Sequence, residues 1–369
     1  MHADTAPQGR HNPLVKACFV GRRLSPFCSL DRIPVPITSD PAALPAVTVD
    51  AVLIGRNEGA RLVRCLSAVK GQVRRIVYVD SGSTDGSVAV AHAAGAEVVV
   101  LNMDRPFTAA RARNAGLAQL RGADTPADFI QFLDGDTVMD QGWLRTALGV
   151  LTARPELALV CGRRRERFPA ASLYNLLCDL EWDTPVGETR ASGGDALVRR
   201  AAIEGIGGYR DDVIAAEDDE MCQRLRAAGW RLERIDAEMT LHDAAITRFA
   251  QWWRRAVRAG HGFAQVGGLH PGHFRAERRR VWLWGVVLPL IALAGLLAAA
   301  PWVAVGIALL YLASFGRVAL RYRRQGLGWR AALGCAGLIS LSKFSNLQGV
   351  LTYRLRRLRG DAARIIEYK

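Results

Sequence analysis

The chain has 369 residues, 50% of them hydrophobic, and a formal net charge of +14 at pH 7. This is long and apolar enough for one large α/β domain plus a smaller part, which excludes a chain too short to bury a core. The 7 cysteines are scattered, with no C-x-x-C pair, so they read as reduced thiols in a cytosol-facing protein rather than a zinc site or disulfide framework. The positive balance calls for an anionic partner: nucleic acid, anionic lipid or a phosphorylated substrate.

Residues 1–45 carry several prolines and basic residues but no sustained apolar region, so the expectation is a poorly ordered tail without a secretory signal. From Val47 to Ile54 the β-branched residues predict a first strand. It runs into the polar turn Gly55-Arg56-Asn57-Glu58-Gly59, and Leu62, Val63, Leu66 and Val69 follow at helical spacing. Ile76 to Asp80 predicts a second strand ending in an acid, followed by Ser81-Gly82-Ser83-Thr84-Asp85-Gly86-Ser87 and a helix over 88–94. A third strand is expected at Glu97–Leu101, a helix at Thr108–Leu120 and a fourth strand at Phe129–Leu133. Strand–helix alternation predicts a mostly parallel sheet with right-handed crossovers. Asp80 and Asp134 would then lie on one edge of it, where open sheets collect nucleotides. Neither G-x-G-x-x-G nor G-x-x-x-x-G-K-[ST] occurs, so a dinucleotide fingerprint and a P-loop are both unsupported.

Phe129 to Leu133 ends in Asp134-Gly135-Asp136. Two carboxylates around a glycine repel each other unless a cation joins them, and Mg2+ or Mn2+ shares such oxygens with substrate phosphates. The plain alternative is an ordinary turn. Farther on, a helix is expected over 141–153 and a strand over 157–161. The run Arg163-Arg164-Arg165-Glu166-Arg167 reads as a solvated loop, a phosphate clamp or a contact with lipid headgroups. Ser192-Gly193-Gly194-Asp195 makes a close-approach turn before a short strand. Glu217-Asp218-Asp219-Glu220 opens a helix. Capping accounts for acids there, but four in a row exceed that need, and crowding raises a carboxylate's pKa as a general base requires. His242 follows a strand-like run and is either structural or a ligand.

Gln251-Trp252-Trp253-Arg254-Arg255 fits an interfacial helix or a sugar platform. Val281–Ala300 and Pro301–Gly316 are uncharged, each close to the roughly 20 residues a bilayer requires, and Pro301 divides them into a hairpin. Arginines flank both sides, so the positive-inside rule puts both ends, and the catalytic part, on the cytoplasmic face of the membrane. A third apolar stretch, 331–351, is broken by Lys343, Asn346 and Gln348 and reads as interfacial or re-entrant, with a basic tail on anionic headgroups. Lipid then explains the positive charge better than nucleic acid does.

Five ordered motifs resemble glycosyltransferase family 2, of the GT-A fold, from about Val47 to His242. They are Ile54-Gly55-Arg56-Asn57-Glu58, Val79 to Gly86, Ala112-Arg113-Asn114-Ala115-Gly116, Asp134-Gly135-Asp136, and Glu217 to Glu220 followed by Arg224-Leu225 and Gly229. The resemblance implies a Rossmann-like, mostly parallel sheet flanked by helices over 46–245. A basic, aromatic interfacial region (246–280), the transmembrane hairpin (281–320) and a basic end (321–369) follow. It implies that Asn57, Glu58, Asp80, Asp85, Arg113, Asn114 and Asp134 serve a UDP- or GDP-sugar. Asp136, with Asp134 and His242, would hold Mn2+ or Mg2+. Asp218 would be the base, with Glu217 and Asp219 as rivals. Inversion by one direct displacement onto a lipid-linked or glycan acceptor is implied as well. The Q-x-x-R-W of processive synthases lacks its final tryptophan here, which favours addition of a single sugar. A membrane-anchored protein that binds nucleotide sugars without turnover is the alternative.

Overall fold

The computed structural model describes residues 47–122, 125–361 and 364–367; the tail expected at 1–45 lies outside them. The first half alternates as β1 (Val49–Gly55), α1 (Ala60–Val69), β2 (Arg75–Asp80), α2 (Ser87–Ala93), β3 (Glu97–Val100), α3 (Ala109–Arg121) and β4 (Phe129–Asp134). These four strands are parallel in the order β3-β2-β1-β4. The apolar side chains of β1 and β4 are buried on both faces, as a helix-covered parallel sheet requires, whereas the edge strand β3 is only partly covered. Gly116 lets α3 lie close on β1, because a Cβ there would sit 2.4 Å from Val52. Ile54 pairs with Asp134, and Gly55 with Asp80, so both acids end at the same sheet edge as expected.

The second half turns the sheet into a mixed one. It contains β5 (Thr137–Met139), α4 (Trp143–Ala153), β6 (Leu157–Glu166), α5 (Leu173–Trp182), β7 (Gly187–Glu188), β8 (Ala196–Arg199), α6 (Arg200–Gly205), α7 (Glu217–Ala227) and β9 (Arg231–His242). The order continues from β4 through β8, β6 and β9 to β5, with β7 also on β9. Strand β8 is antiparallel to β4 and β6, whereas β6 and β9 are parallel. The basic run is not a solvated loop: β6 continues through it to Glu166. It stays in the sheet because its charges are paired within the protein. Arg163 meets Asp179 at 3.0 Å, Arg164 meets Asp195 at 3.1 Å and Arg165 meets Glu238 at 2.6 Å.

The C-terminal part is helical. Helix α8 (Phe249–Leu269) is followed by α9 (Arg275–Trp282), which continues through a π-helical turn at Leu283–Val287 into α10 (Leu288–Leu297); α11 (Pro301–Arg324) and α12 (Trp329–Arg359) complete it. Arg275–Leu297 and Pro301–Arg324 are long and apolar enough to cross a membrane. Pro301 opens α11, where its missing N–H costs nothing. Residues 331–351 lie inside the single continuous helix α12. Their polar members are held by neighbours: Lys343 Nζ lies 3.1 Å from Ser314 Oγ and 4.0 Å from the centre of the Trp284 ring, and Gln348 accepts from Trp253 Nε1 at 2.7 Å. Trp252 is buried with Leu177, Cys178, Cys335 and Leu338, so it joins the helices to the sheet domain and is not an open platform for a sugar.

Candidate active site

The site is assembled at the C-terminal ends of β1, β2 and β4. Asp134 is the last residue of β4, and the Gly135 N–H donates to the Ile54 carbonyl at 2.8 Å, which turns the chain sharply. Strand β5 follows at once and pairs antiparallel with β9, setting Thr137 opposite His242. That register, which the sequence gives no hint of, puts His242 beside Asp136: Nε2 lies 3.2 Å from Oδ2. One ligand atom each from Asp134, Asp136 and His242 lies within 4.8 Å of the others.

The group fits a hard divalent cation. Its donors are two carboxylates and an imidazole, and neither buried His242 ring nitrogen has a hydrogen-bond partner. Burial, then the nearby Arg164 charge, lowers the His242 pKa, which keeps the ring in the neutral form that ligates metals. Trp182 stacks on the ring at 4.8 Å and fixes its plane.

Arg113 joins this group to the second acid cluster. It stands on α3, whose N-terminus is capped by the Thr108 hydroxyl accepting from Arg111 N at 3.0 Å. The guanidinium is 2% exposed. It reaches Asp134 at 2.9 Å, Glu217 at 2.9 Å and Asp218 at 3.4 Å, and it lies over the Tyr209 ring. Burial alone would loosen its proton, but Asp218, Asp134 and Glu217 reverse this and raise its pKa. Helix α7 enters through Ala216, a non-glycine residue in the left-handed region at φ 58°. That reversal splits the acid cluster. Glu217 and Asp218 face Arg113, whereas Asp219 meets His273 at 3.3 Å and Glu220 pairs with Arg224 and His270. Burial first, and Glu217 and Asp134 next, push the Asp218 carboxyl up to about 8 against the pull of Arg113.

Of the remaining expected residues, Asn57, Glu58 and Asp85 lie on the loops after β1 and β2, Asp80 ends β2, and Asn114 stands on α3. Asn57 has φ 55° and ties those loops together: its N–H donates to Ser83 Oγ at 2.8 Å, and its Oδ1 accepts from Thr84 N at 2.8 Å. Glu58 pairs with Arg61 at 2.9 Å. Asp80 is buried and accepts from Gly82 N, Ser83 N and the Tyr78 hydroxyl, so it shapes its own loop. Asp85 accepts from Ser87 N at 2.9 Å at the start of α2, and the bonds from Ser87 lower its pKa. Asn114 is turned away, holding Tyr209 and Asp211.

Two residues not singled out as site members complete the frame. The fully buried Asp195 accepts from Asp134 N at 3.0 Å and from the Thr240 hydroxyl at 2.8 Å, and it pairs with Arg164. Arg164 is itself mostly shielded, with 12% of its side chain exposed, and lies over Trp182. Gly194 is obligatory beside them, since a Cβ would sit 2.3 Å from Arg113 Nη2 and 2.8 Å from Asp134 Oδ2. The Gly-Gly-Asp turn was the available signal, although the Asp195 partners Asp134, Arg164 and Thr240 are distant in the chain on either side.

Comparison with known proteins agrees with this fold. Glycosyl transferase family 2 matches residues 50–213. The pre-mycofactocin glycosyltransferase of Mycobacterium tuberculosis is 29% identical over 239 residues, 60% of this chain and 48% of that protein. The chain thus spans about half the length of that relative. An O-antigen chain rhamnosyltransferase of Salmonella typhimurium is 25% identical over 209 residues, covering 52% of this chain and 65% of that one. Among solved structures, a mannosyltransferase from Pyrobaculum calidifontis in complex with GDP-Man and Mn2+ superposes with a TM-score of 0.52 at 23% identity. It covers 79% of this chain and 86% of that one. Residues 50–213 thus form a glycosyl transferase family 2 domain built on the GT-A fold.

Proposed function

We propose that the protein transfers one sugar, with inversion, from a nucleotide sugar to a lipid-linked or glycan acceptor at the cytoplasmic face of a membrane. The observation that carries this is the juxtaposition of Asp134, Asp136 and His242 with Asp218 across the buried guanidinium of Arg113. Mn2+ or Mg2+ held by Asp134, Asp136 and His242 would supply charge neutralisation for a departing diphosphate. Arg113 orients Asp134 and holds Glu217 and Asp218 in one place, so that the base stands at a fixed position opposite the donor. The raised proton affinity of Asp218 suits it to accept a proton from an acceptor hydroxyl, and Glu217 strengthens that affinity by repulsion. Asn57, Glu58, Asp80 and Asp85 frame the loops where the nucleoside would lie. In this role Asp80 acts by fixing its loop, since its oxygens are already engaged.

The two apolar helices support the membrane placement, and their arginine flanks support the cytoplasmic side. Cellulose synthase 2 of Novacetimonas hansenii is also similar, at 26% identity over 227 residues. The tryptophan pair at 252–253, though, is committed to packing, which supports addition of a single sugar rather than polymer synthesis.

The test is transfer from a panel of nucleotide sugars. Asp218→Asn is expected to lower turnover by about 10² to 10⁴ while donor binding persists. Asp136→Asn is expected to abolish dependence on added Mn2+. Unimpaired turnover in both variants would remove the assignment, and donor binding without any turnover in the parent would favour the inactive binding protein.

A further inference from the structure

A second concave feature lies outside the transfer site, where α9 begins. A cleft of 560 Å³ opens between α9 and α12, lined along the helix by Arg275, Arg278 and Arg279 first, then by Trp282 with Arg354 over its ring, and then by Leu283 and Val287. In the sheet domain several shielded arginines are matched with acids, as Arg113, Arg163 and Arg164 show. Among the described residues these four have no carboxylate within ion-pair distance. Arg278 Nε is shielded from solvent without a hydrogen-bond partner, and the Arg354 guanidinium lies 4.6 Å from the centre of the Trp282 ring. Four cations around one cleft repel one another unless an anion joins them.

The cleft is graded along its length. Its cationic end is at the start of α9, and its apolar end runs into the segment that is long and apolar enough to cross a membrane. A small soluble anion would use only the first part. An amphiphile with an anionic head would use both, the head on the guanidinium groups and the chain along the span.

We propose that this cleft binds the phosphate headgroup of a lipid. The site rests on the membrane placement given above and is independent of the transfer chemistry. It is nevertheless coupled to the catalytic helix by position. His273, two residues before Arg275, meets Asp219, and His270 meets Glu220, so the segment between α8 and α9 is docked on α7 beside Asp218.

The experiment is equilibrium binding to the full chain in neutral detergent, read by native mass spectrometry, with dodecyl phosphate, phosphatidylglycerol, phosphatidylcholine and inorganic phosphate as probes. Dodecyl phosphate is expected to bind more tightly than inorganic phosphate. The double variant Arg279→Gln/Arg354→Gln should weaken it by about tenfold or more. Arg279→Lys/Arg354→Lys should keep most of the affinity, which separates lost charge from lost fold. Phosphatidylglycerol competing equally would identify an ordinary bilayer lipid as the occupant. Failure of phosphatidylglycerol to compete would identify a lipid phosphomonoester, the chemistry of a phosphate-bearing acceptor. Equal binding by the glutamine variant, by inorganic phosphate or by phosphatidylcholine would overturn the proposal. Asp136→Asn should leave this binding unchanged, so a failed transferase reading does not register as a failed lipid site. Membrane fractionation of the chain tests the membrane placement by itself.

Discussion

Arg113 is the residue on which the site's electrostatics turn. One buried guanidinium balances Asp134 on one side and Glu217 and Asp218 on the other. Asp195 plays the matching part for Arg164 and also fixes the backbone of Asp134. Asp195→Ala would leave the mostly shielded Arg164 charge without its carboxylate and the Asp134 N–H without its acceptor. Loss of one partner from a buried pair typically costs about 3–5 kcal/mol. A lower midpoint of thermal unfolding is therefore expected, and an unchanged midpoint would contradict the role given to Asp195. At this scale the sequence was most legible where chemistry is concentrated in one short motif. The Asp134-Gly135-Asp136 triplet and the Glu217–Glu220 cluster each announce themselves. Asp195 does not, because its function comes entirely from partners at positions 134, 164 and 240, which only folding brings together. The sequence also left Asp219 level with Glu217 as a rival base; the direction in which α7 starts turns it toward His273 instead.

Individual elements explain what the residues alone do not. The pairing of β5 with β9 delivers His242 to Asp136, and the left-handed residue at Ala216 aims the first turn of α7 inward. Among the helices, α8 and α12 cross at glycines. A Cβ at Gly260 would lie 2.1 Å from the Asn346 carbonyl oxygen, and one at Gly349 would lie 2.0 Å from the Val257 carbonyl oxygen. Gly349→Ala must force the two backbones apart, and overpacking of this kind costs about 1–3 kcal/mol. A lowered melting temperature is expected, whereas a melting temperature equal to the parent's would show that the crossing is looser. The parallel strands were readable because fully buried strands are short β-branched runs between turn residues. The distal half of β6 was not, because three of its consecutive side chains are arginines whose acids come from α5, β8 and β9 or their approaches.

For the molecule as a whole, the family 2 domain occupies one part of the chain and the apolar helices another. The exposed leucines of α10 and α11 give the second part its outer surface: Leu293 is 51% and Leu309 59% exposed. In a membrane those side chains meet lipid, and an arginine at mid-span costs about 2.5–3.5 kcal/mol on the insertion scale. The double variant Leu293→Arg/Leu309→Arg should therefore move from the carbonate-resistant membrane pellet to the extract or be degraded. Unchanged pelleting would mean that these helices do not carry the attachment. Composition made this division visible, since two uncharged stretches separated by Pro301 need no tertiary information. It did not show that 331–351 belongs to one long helix, because there the polar residues face neighbouring helices rather than interrupting the fold.

The most direct measurement is calorimetric titration of Mn2+ into the purified full chain with UDP or GDP present, for the parent and for Asp136→Asn. Convergence of Asp134, Asp136 and His242 on one cation predicts saturable binding that the nucleotide strengthens and that the variant weakens by about tenfold or more. Binding that is absent from the parent, or equally tight in Asp136→Asn, would contradict it.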